Sequence, residues 1–399
     1  MVPINREPER PTSSNHSSSI REAEVPIAID ECLVADDMDE DYDEDLSEDS
    51  NPSRARPAQT LYHQARSESD TINSTQSLFE NDIEYLTIDE RRYCENYNMP
   101  NDDAEQGRLQ MLHEIFLNTL DGHLTLAPLQ SPTMILDIGT GTGEWAIEMA
   151  ELYPGAEVTG TDIAKIQPTS VPDNMFFQID DAEYEGGWTW QANTFDLVHI
   201  RAMTGAFEDW NNIYREAFRT IKPGGYIEIM DPDVPKFAQH FSDNPLVLKW
   251  FNNFLEAARM TGRPMTVEHL DTQLLAAAGF TDIVVTTRTL PCGACQSESG
   301  ESKTGTYFLH VLFAGTEATS LRLFVEQLGW KLEDVRALCS YVSKSFKAMA
   351  FDPEKSKGFG MDVRIIVARK PGGNELEVPD DKSTMGDSMR TVRNGDSST

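Results

Sequence analysis

The chain has 399 residues, a net charge of −34 at pH 7 and a hydrophobic share of 39%. Such acidity argues against direct binding of DNA or RNA, whose phosphates would repel it. No run approaches the roughly 18 apolar residues of a membrane span, and the N-terminus lacks the regions of a signal peptide. The odd number of scattered cysteines indicates free thiols in a reducing compartment. We therefore expect an intracellular protein, cytoplasmic or nuclear, without a membrane segment.

The two ends of the chain differ in composition from its middle. Residues 1–77 carry 18 acidic and 6 basic side chains and show no sustained apolar period. This composition predicts a disordered acidic tail, which would either bind a basic protein partner or serve as a solvated spacer. Residues 371–399 are again polar and predict a second disordered tail. We expect residues 78–370 to form the folded domain.

The middle of the chain alternates short apolar runs with helical stretches. A first helix should begin at Asn101 or Asp102, because apolar residues then recur at helical spacing up to Leu120. Between Leu290 and Gly305 the composition indicates an irregular loop. Strands are predicted near 134–138, 157–161, 175–179, 195–200, 225–230, 282–289 and 361–369, and further helices near 144–153, 207–221, 245–278 and 316–349. The alternation indicates a three-layer, doubly wound α/β sheet.

The first of these strands leads into a glycine-rich turn, Gly139-Thr-Gly-Thr-Gly143. Glycines let the backbone approach a ligand closely, and the N–H groups at the start of the next helix suit polar ligand atoms. The dinucleotide fingerprint G-x-G-x-x-G would place its third glycine where this chain has Glu144. A carboxylate there disfavours a pyrophosphate, so the pattern favours a nucleoside ligand without phosphates. An NAD-dependent oxidoreductase remains the weaker alternative.

Carboxylates follow the next two strands. Asp162 ends the second strand, where a carboxylate can accept hydrogen bonds from both hydroxyls of a ribose. Asp180 and Asp181 end the third strand, where a carboxylate can accept from an adenine amino group. Trp188 and Trp190 follow, and both stacking on the base and burial in the core are compatible with the sequence. Together these residues predict an adenosine site.

The same motifs resemble the class I, seven-stranded S-adenosylmethionine-dependent methyltransferases. The likeness rests on Leu136–Gly143, Val158–Asp162 and Phe177–Asp181, with Phe195–Arg201 and Ile221–Ile229 as later matches. More narrowly, the chain is similar to the LaeA-like methyltransferases of filamentous fungi. That narrower likeness is carried by the segments Met99–Leu109, Ile166–Pro168, Val171–Asn174 and Ala277–Phe280. It covers roughly residues 80–370.

The resemblance implies S-adenosylmethionine as cofactor, strand order 3-2-1-4-5-7-6 and an antiparallel last strand. It implies a role for Asp137, Gly139, Thr140, Gly141 and Gly143 at the methionine part of the cofactor. Asp162 and Ile163 would hold the ribose and flank the adenine, while Asp180, Asp181 and Ala182 would read the adenine edge. By the same likeness His199 is the best-placed general base, with Tyr97, His113 and Arg201 behind it, although packing is the competing role for His199.

These observations favour methylation of a small molecule, such as a secondary metabolite. The alternative is a LaeA-like regulator of secondary metabolism and development that acts through partner proteins and uses the acidic tail to bind them. No metal is expected, because the Cys292-x-x-Cys295 pair lacks a second pair at zinc spacing. The loop at Cys292–Cys295 and the segment Phe351–Phe359 depart from the family pattern, so the resemblance does not identify the methyl acceptor.

Overall fold

The computed structural model describes residues 85–293 and 301–372, without the side chains of residues 301–303. Both predicted tails lie outside the described residues except for Pro371 and Gly372. Their disorder and the domain boundaries at residues 77 and 371 therefore stay predictions. Cys94, Cys292 and Cys339 are free, buried thiols, as expected, whereas Cys32 and Cys295 lie outside the described residues.

The described residues form nine strands, eight α-helices and two short 3₁₀ helices, Ala238–Phe241 and Glu268–Leu270. The strands are β1 (Tyr85–Ile88), β2 (Arg91–Cys94), β3 (Met134–Ile138), β4 (Glu157–Asp162), β5 (Met175–Ile179), β6 (Phe195–Arg201), β7 (Ile221–Pro232), β8 (Thr281–Pro291) and β9 (Gly360–Arg369). The helices are α1 (Asp103–Thr119), α2 (Glu144–Leu152), α3 (Trp210–Thr220), α4 (Val234–Phe237), α5 (Pro245–Met260), α6 (Thr272–Ala278), α7 (Glu301–Leu328) and α8 (Leu332–Phe351).

Seven strands form one sheet in the order β5-β4-β3-β6-β7-β9-β8. Counted from β3, this is the order 3-2-1-4-5-7-6 that the resemblance implied. The first five strands run parallel, and β9 lies antiparallel between β7 and β8. The sheet prediction is confirmed, and the reversal of strand order lies between β3 and β6, where open α/β sheets bind ligands.

The central strands are buried on both faces because helices cover each side. Ile135 of β3 packs with α2, whose apolar face includes Trp145 and Met149. Leu136, the next residue of β3, points to the other face and packs in the cluster that contains α3 residues such as Ile213. Successive side chains of a strand point to opposite faces, so a strand covered on both sides reads as an unbroken apolar run.

A third apolar cluster joins α1, α5, α7 and α8 beside β9. Within it, Thr304–Leu328 of α7 is long and apolar enough to cross a membrane by length and composition. This corrects the expectation that no segment reaches such a composition. Just over half of its most apolar 18-residue window is buried inside the protein. We therefore interpret α7 as a core helix.

Several helix boundaries differ from the sequence predictions. Asp102 caps α1 by accepting a hydrogen bond from the Glu105 amide, which confirms one of the two predicted caps. The predicted helix 245–278 is two helices, because the chain turns at Gly262 with φ +77°. The predicted helix 316–349 is also two, with a break at Gly329 with φ +67°. Helix α7 already begins at Glu301, inside the predicted irregular loop.

The hairpin of β1 and β2 was not predicted. Its turn residues Asp89 and Glu90 both have positive φ, at 49° and 64°. Tight hairpin turns of this kind usually carry Asn-Gly or Asp-Gly, so Asp-Glu gave no signal in the sequence. The hairpin places the segment after Cys94 beside the carboxyl ends of the central strands, since the Cys94 thiol contacts the Ile163 carbonyl.

Candidate active site

The glycine loop, residues Gly139–Gly143, connects β3 to α2. Gly139 has φ +68°, and a Cβ added there would lie 2.2 Å from the Met203 sulfur. Gly143 has φ +91°, and its added Cβ would lie 2.2 Å from Phe177 Cζ. Side chains rarely adopt these backbone angles and would also collide with their neighbours. Both positions therefore require glycine.

Two polar side chains hold the glycine loop from behind. The Thr140 hydroxyl donates a hydrogen bond to Asp137 Oδ2 at 2.6 Å. The Thr140 amide donates to the Thr161 carbonyl of β4 at 2.9 Å. Asp137 is 4% exposed, so its carboxylate faces the protein interior. Asp137 and Thr140 position the loop without lining the cavity in front of it.

Asp162 joins the end of β4 to the glycine loop. Its Oδ2 accepts from the Gly141 amide, and its Oδ1 accepts from the Ala164 amide, both at 2.8 Å. Burial raises the pKa of Asp162 to about 6, although these N–H groups act in the opposite direction. Gln167 donates to the Gly141 carbonyl at 2.8 Å and ties the next segment to the same loop. Sequence reasoning gave Gln167 no role, although it lies in a motif of the resembling family.

The residues after β5 lie beside those after β4. Asp180, Asp181 and Ala182 line the same cavity as Asp162. Trp188 donates its indole N–H to the Ala182 carbonyl at 3.0 Å. Trp188 and Trp190 are 7% and 3% exposed and belong to the apolar core. The structure therefore supports burial of both tryptophans, not stacking on a ligand.

A cavity of about 580 Å³ opens at the carboxyl ends of β3, β4, β5 and β6. Its size is within the roughly 300–1,000 Å³ of small-molecule sites. It brings together most of the predicted cofactor residues, namely Gly139, Gly141, Asp162, Ile163, Asp180, Asp181 and Ala182. Glycines that let the backbone approach closely, a carboxylate at the ribose position and a second pair of carboxylates beside it fit an adenosine.

His199 does not line this cavity. Its ring is 1% exposed and stacks on Trp145 with the ring centroids 3.6 Å apart. Its Nδ1 lies 2.7 Å from Asp137 Oδ1, so Nδ1 carries a proton and donates it. Its Nε2 lies 3.9 Å from the buried Glu228 carboxylate. His199 therefore lies behind the glycine loop and supports Asp137, a placement that favours the packing role over that of a general base.

Of the other base candidates, Tyr97 and Arg201 line the cavity and His113 lies behind Arg201. Burial raises the pKa of Tyr97, so its hydroxyl stays protonated at neutral pH. Arg201 cannot act as a base either, because a guanidinium has no acceptor.

His113 also lies near Glu114 and Glu148, with one potential ligand atom of each within 4.8 Å of the others. Arg201 Nη2 lies 3.1 Å from His113 Nδ1 and can only donate, so Nδ1 accepts and Nε2 carries the proton. Nε2 is the ring nitrogen that lies toward Glu148. A protonated nitrogen cannot bind a metal, so this arrangement does not form a metal site.

Away from the glycine loop, the cavity is lined mainly by apolar side chains, and a group of them is aromatic. We call this part the aromatic compartment, and it consists of Phe237, Trp250, Phe251, Phe254, Phe308 and Phe346. These residues come from α4, α5, α7 and α8, and several pack edge to face in one apolar cluster. The sequence analysis assigned them no function, because apolar residues at helical spacing are typical of any core helix.

Comparison with known proteins identifies the family. Residues 111–285 match the family model described as Methyltransferase domain. The chain is 31% identical over 310 residues to Methyltransferase pytC of Aspergillus terreus, which covers 76% of this chain and 93% of that protein. It is 33% identical over 243 residues to Secondary metabolism regulator LAE1 of Cochliobolus heterostrophus, covering 59% and 79% of the two chains.

A third relative is Protein-methionine methyltransferase laeA of Emericella nidulans. It is 32% identical over 278 residues, which cover 69% of this chain and 72% of that protein. Sequence similarity of this extent agrees with the seven-stranded sheet. The chain therefore belongs to the LaeA-like family of S-adenosylmethionine-dependent methyltransferases, and its cofactor is S-adenosylmethionine.

Proposed function

We propose that this enzyme methylates a small organic molecule held inside the cavity. The observation that supports the proposal is the cavity itself, which continues from the glycine loop into the aromatic compartment. Such a space suits a compact apolar molecule better than a folded protein surface. The strong acidity of the chain also disfavours a nucleic acid as acceptor.

The protein residues would mainly bind and orient the reactants. S-adenosylmethionine supplies a methyl group that its sulfonium already activates. Asp162 would accept hydrogen bonds from the ribose, and Asp181 and Ala182 would contact the adenine. The glycine loop, supported by Asp137, would hold the amino-acid arm. Catalysis then requires an acceptor held in line with the methyl group in a site that excludes water.

Calorimetry with S-adenosylhomocysteine tests the cofactor half of the proposal. We expect the full chain to bind it and Asp162→Ala to weaken binding at least about tenfold, or roughly 1.4 kcal/mol. Asp173→Ala is the control, because Asp173 is exposed and does not line the cavity. Thermal unfolding of both variants separates lost contacts from lost folding. Absence of binding by the unaltered protein would contradict the proposal.

Metabolite profiling tests the acceptor half. In a strain that lacks the protein, a compound about 14 daltons lighter than its wild-type counterpart should accumulate, since methylation adds one CH₂. Complementation with wild type should restore the heavier compound, and Asp162→Ala should not. Identical metabolite profiles in all strains would count against a small-molecule acceptor.

A second candidate function is regulatory methylation of a protein within a partner complex. It is supported by the names of two relatives, a secondary metabolism regulator and a protein-methionine methyltransferase. The acidic tail would supply the contact with a basic partner, and the protein would act in the nucleus or the cytoplasm. Removal of the tail distinguishes this function from the first, as argued in the Discussion.

A further inference from the structure

Three arginines line the cavity, and two of them are paired with carboxylates. Arg108 forms two hydrogen bonds with Glu105, at 2.6 and 2.8 Å. Arg263 lies 2.5 Å from Glu183. The third, Arg201, forms no ion pair with a described residue, because no carboxylate oxygen among those residues lies within 4.0 Å of its guanidinium nitrogens.

The contacts of Arg201 are with neutral groups. Its guanidinium donates toward His113 Nδ1 and lies 5.1 Å from the centre of the Phe116 ring. Part of the side chain remains accessible, and that part borders the cavity. A guanidinium offers five donors in a planar fork that matches a carboxylate or a similar oxyanion. Among the described residues, the hydrogen bond to His113 is the one that the structure shows for the Arg201 guanidinium.

The surroundings of Arg108 and Arg201 shift the pKa values of the two guanidinium groups in opposite directions. Burial acts to lower the pKa of both, but Glu105 more than offsets it and leaves the pKa of Arg108 raised. The pKa of Arg201 stays lowered, because burial outweighs the combined effect of four carboxylates that form no ion pair with it, those of Asp137, Glu228, Glu144 and Glu148. A buried charge without a close partner is costly, and an anion in the cavity would offset that cost.

Arg201 lies where the two parts of the cavity meet. The preceding residue, Ile200, pairs with Ile138, after which the glycine loop begins. Phe116, beneath the guanidinium, belongs to the apolar cluster that contains Phe237 and Phe251 of the aromatic compartment. An oxygen bound to Arg201 would therefore lie near the glycine loop, with the rest of its molecule in the aromatic compartment.

The cavity also lacks an evident general base. None of the six histidines in the described part of the chain lines it. Of the carboxylates that line it, Glu105 and Glu183 are each paired with an arginine, and Asp162, Asp180 and Asp181 are assigned to the cofactor. The remaining one, Glu95, is exposed to solvent. An acceptor that enters as an anion needs no base, and a nearby cation makes loss of a proton easier for a weakly acidic hydroxyl.

From these observations, and resting on the small-molecule methyl transfer proposed above, we propose that the acceptor is an apolar organic acid. Its oxyanion pairs with Arg201 and its hydrocarbon body fills the aromatic compartment. An oxygen lone pair forms the new O–CH₃ bond while the S–CH₃ bond breaks, and that electron pair stays on sulfur. The negative oxygen and the positive sulfonium are both neutralised, and any proton lost earlier goes to water.

Binding of an aromatic carboxylate and its neutral amide provides the test. In full-length protein saturated with S-adenosylhomocysteine, we expect naphthoate to bind at least about tenfold more tightly than naphthamide, because only the acid can pair with Arg201. Arg201→Gln should abolish this preference, and Arg201→Lys should keep part of it. Arg288→Gln, which alters an exposed arginine outside the cavity, is the control and should keep the full preference.

Arg201 could pair with the carboxylate of the acceptor or with the amino-acid carboxylate of the cofactor. Methylthioadenosine distinguishes these two possibilities, because it has the nucleoside and the thioether of the cofactor but no carboxylate. Unchanged binding of methylthioadenosine and S-adenosylhomocysteine to Arg201→Gln would show a folded site and support the proposal. Loss of S-adenosylhomocysteine binding alone would overturn it, because the bound carboxylate would be the cofactor's. Equal affinity of wild type for naphthoate and naphthamide would also overturn it, and this comparison needs no variant. The affinities for naphthoate and naphthamide can also be measured without S-adenosylhomocysteine. The inference is therefore testable even if the protein does not bind the cofactor.

Discussion

At the scale of single residues, protonation of Asp162 should make cofactor binding depend on pH. Burial raises its pKa from 3.8 to about 6, against the effect of the Gly141 and Ala164 amides. The folded protein therefore takes up a proton here as the pH falls through about 6. A protonated carboxyl is a poorer acceptor for two ribose hydroxyls. Cofactor binding should depend on this proton.

We predict that the affinity for S-adenosylhomocysteine is constant above about pH 7 and falls by up to about tenfold per pH unit below pH 6. Calorimetry across this range measures it, and Asp162→Ala should lose the dependence. The free energy of unfolding should change in the opposite direction and be larger at low pH. Because the folded-state pKa is raised, protonation of Asp162 stabilises the folded protein at low pH, and this contribution is lost as the pH rises through about 6. A wild-type affinity that does not change with pH would contradict the prediction.

The sequence predicts which residues lie at the ends of strands, but not which of their side chains contact a ligand. Asp162 and Asp181 follow strands of a parallel sheet, so their meeting at one edge follows from the strand assignment. His199 and Arg201 are two residues apart at the end of β6, yet Arg201 borders the cavity and His199 stacks on Trp145. Which of them contacts a ligand depends on how α2 covers β6, and a single sequence does not contain that information.

At the scale of the elements, the glycine loop should tolerate substitution poorly, because its glycines have positive φ. We predict that Gly143→Ala lowers the free energy of unfolding by at least about 1–2 kcal/mol, from its left-handed backbone angle alone. The clash with Phe177 adds to this and should also weaken S-adenosylhomocysteine binding. Urea unfolding and calorimetry measure the two effects.

Gly155→Ala is the matched control, because a Cβ at Gly155 meets no atom within 4 Å. It should be neutral, or stabilising by about 0.4–1 kcal/mol through the unfolded chain. Equal losses in both variants would show that the loop has no special backbone requirement.

The two predicted helices that proved to be pairs of helices share one cause, which is an unrecognised turn. Gly262 and Gly329 interrupt what apolar spacing alone reads as continuous helices. A single glycine costs a helix only about 1 kcal/mol, so a sequence does not show which glycine ends a helix and which is tolerated within one. Packing decides it, since α7 and α8 can lie side by side only if the chain reverses at Gly329.

At the scale of the whole molecule, we propose that residues 1–77 are dispensable for the fold. Their deletion should change the free energy of unfolding by less than about 0.5 kcal/mol and leave S-adenosylhomocysteine binding unchanged, because the site is built from later residues. Denaturant unfolding and calorimetry measure both. A larger loss would place part of this segment within the folded domain.

The same deletion distinguishes the two candidate functions. If the protein methylates a small molecule, the product should persist in a strain that carries the shortened chain. If it regulates through a partner, capture of that partner and the regulatory phenotype should be lost while cofactor binding persists. An unchanged phenotype and unchanged partner capture would count against the regulatory function.

The sequence by itself determined the sheet, its strand order through the family likeness, and the residues that end each central strand. These features follow from local patterns, because buried strands, glycine turns and terminal carboxylates each have a recognisable spacing. Tertiary structure decided the rest. It placed the apolar stretch of α7 in a core, His199 behind the glycine loop and Arg201 beside an aromatic compartment. Those outcomes depend on contacts between residues far apart in the chain, which set burial, charge pairing and access to the cavity.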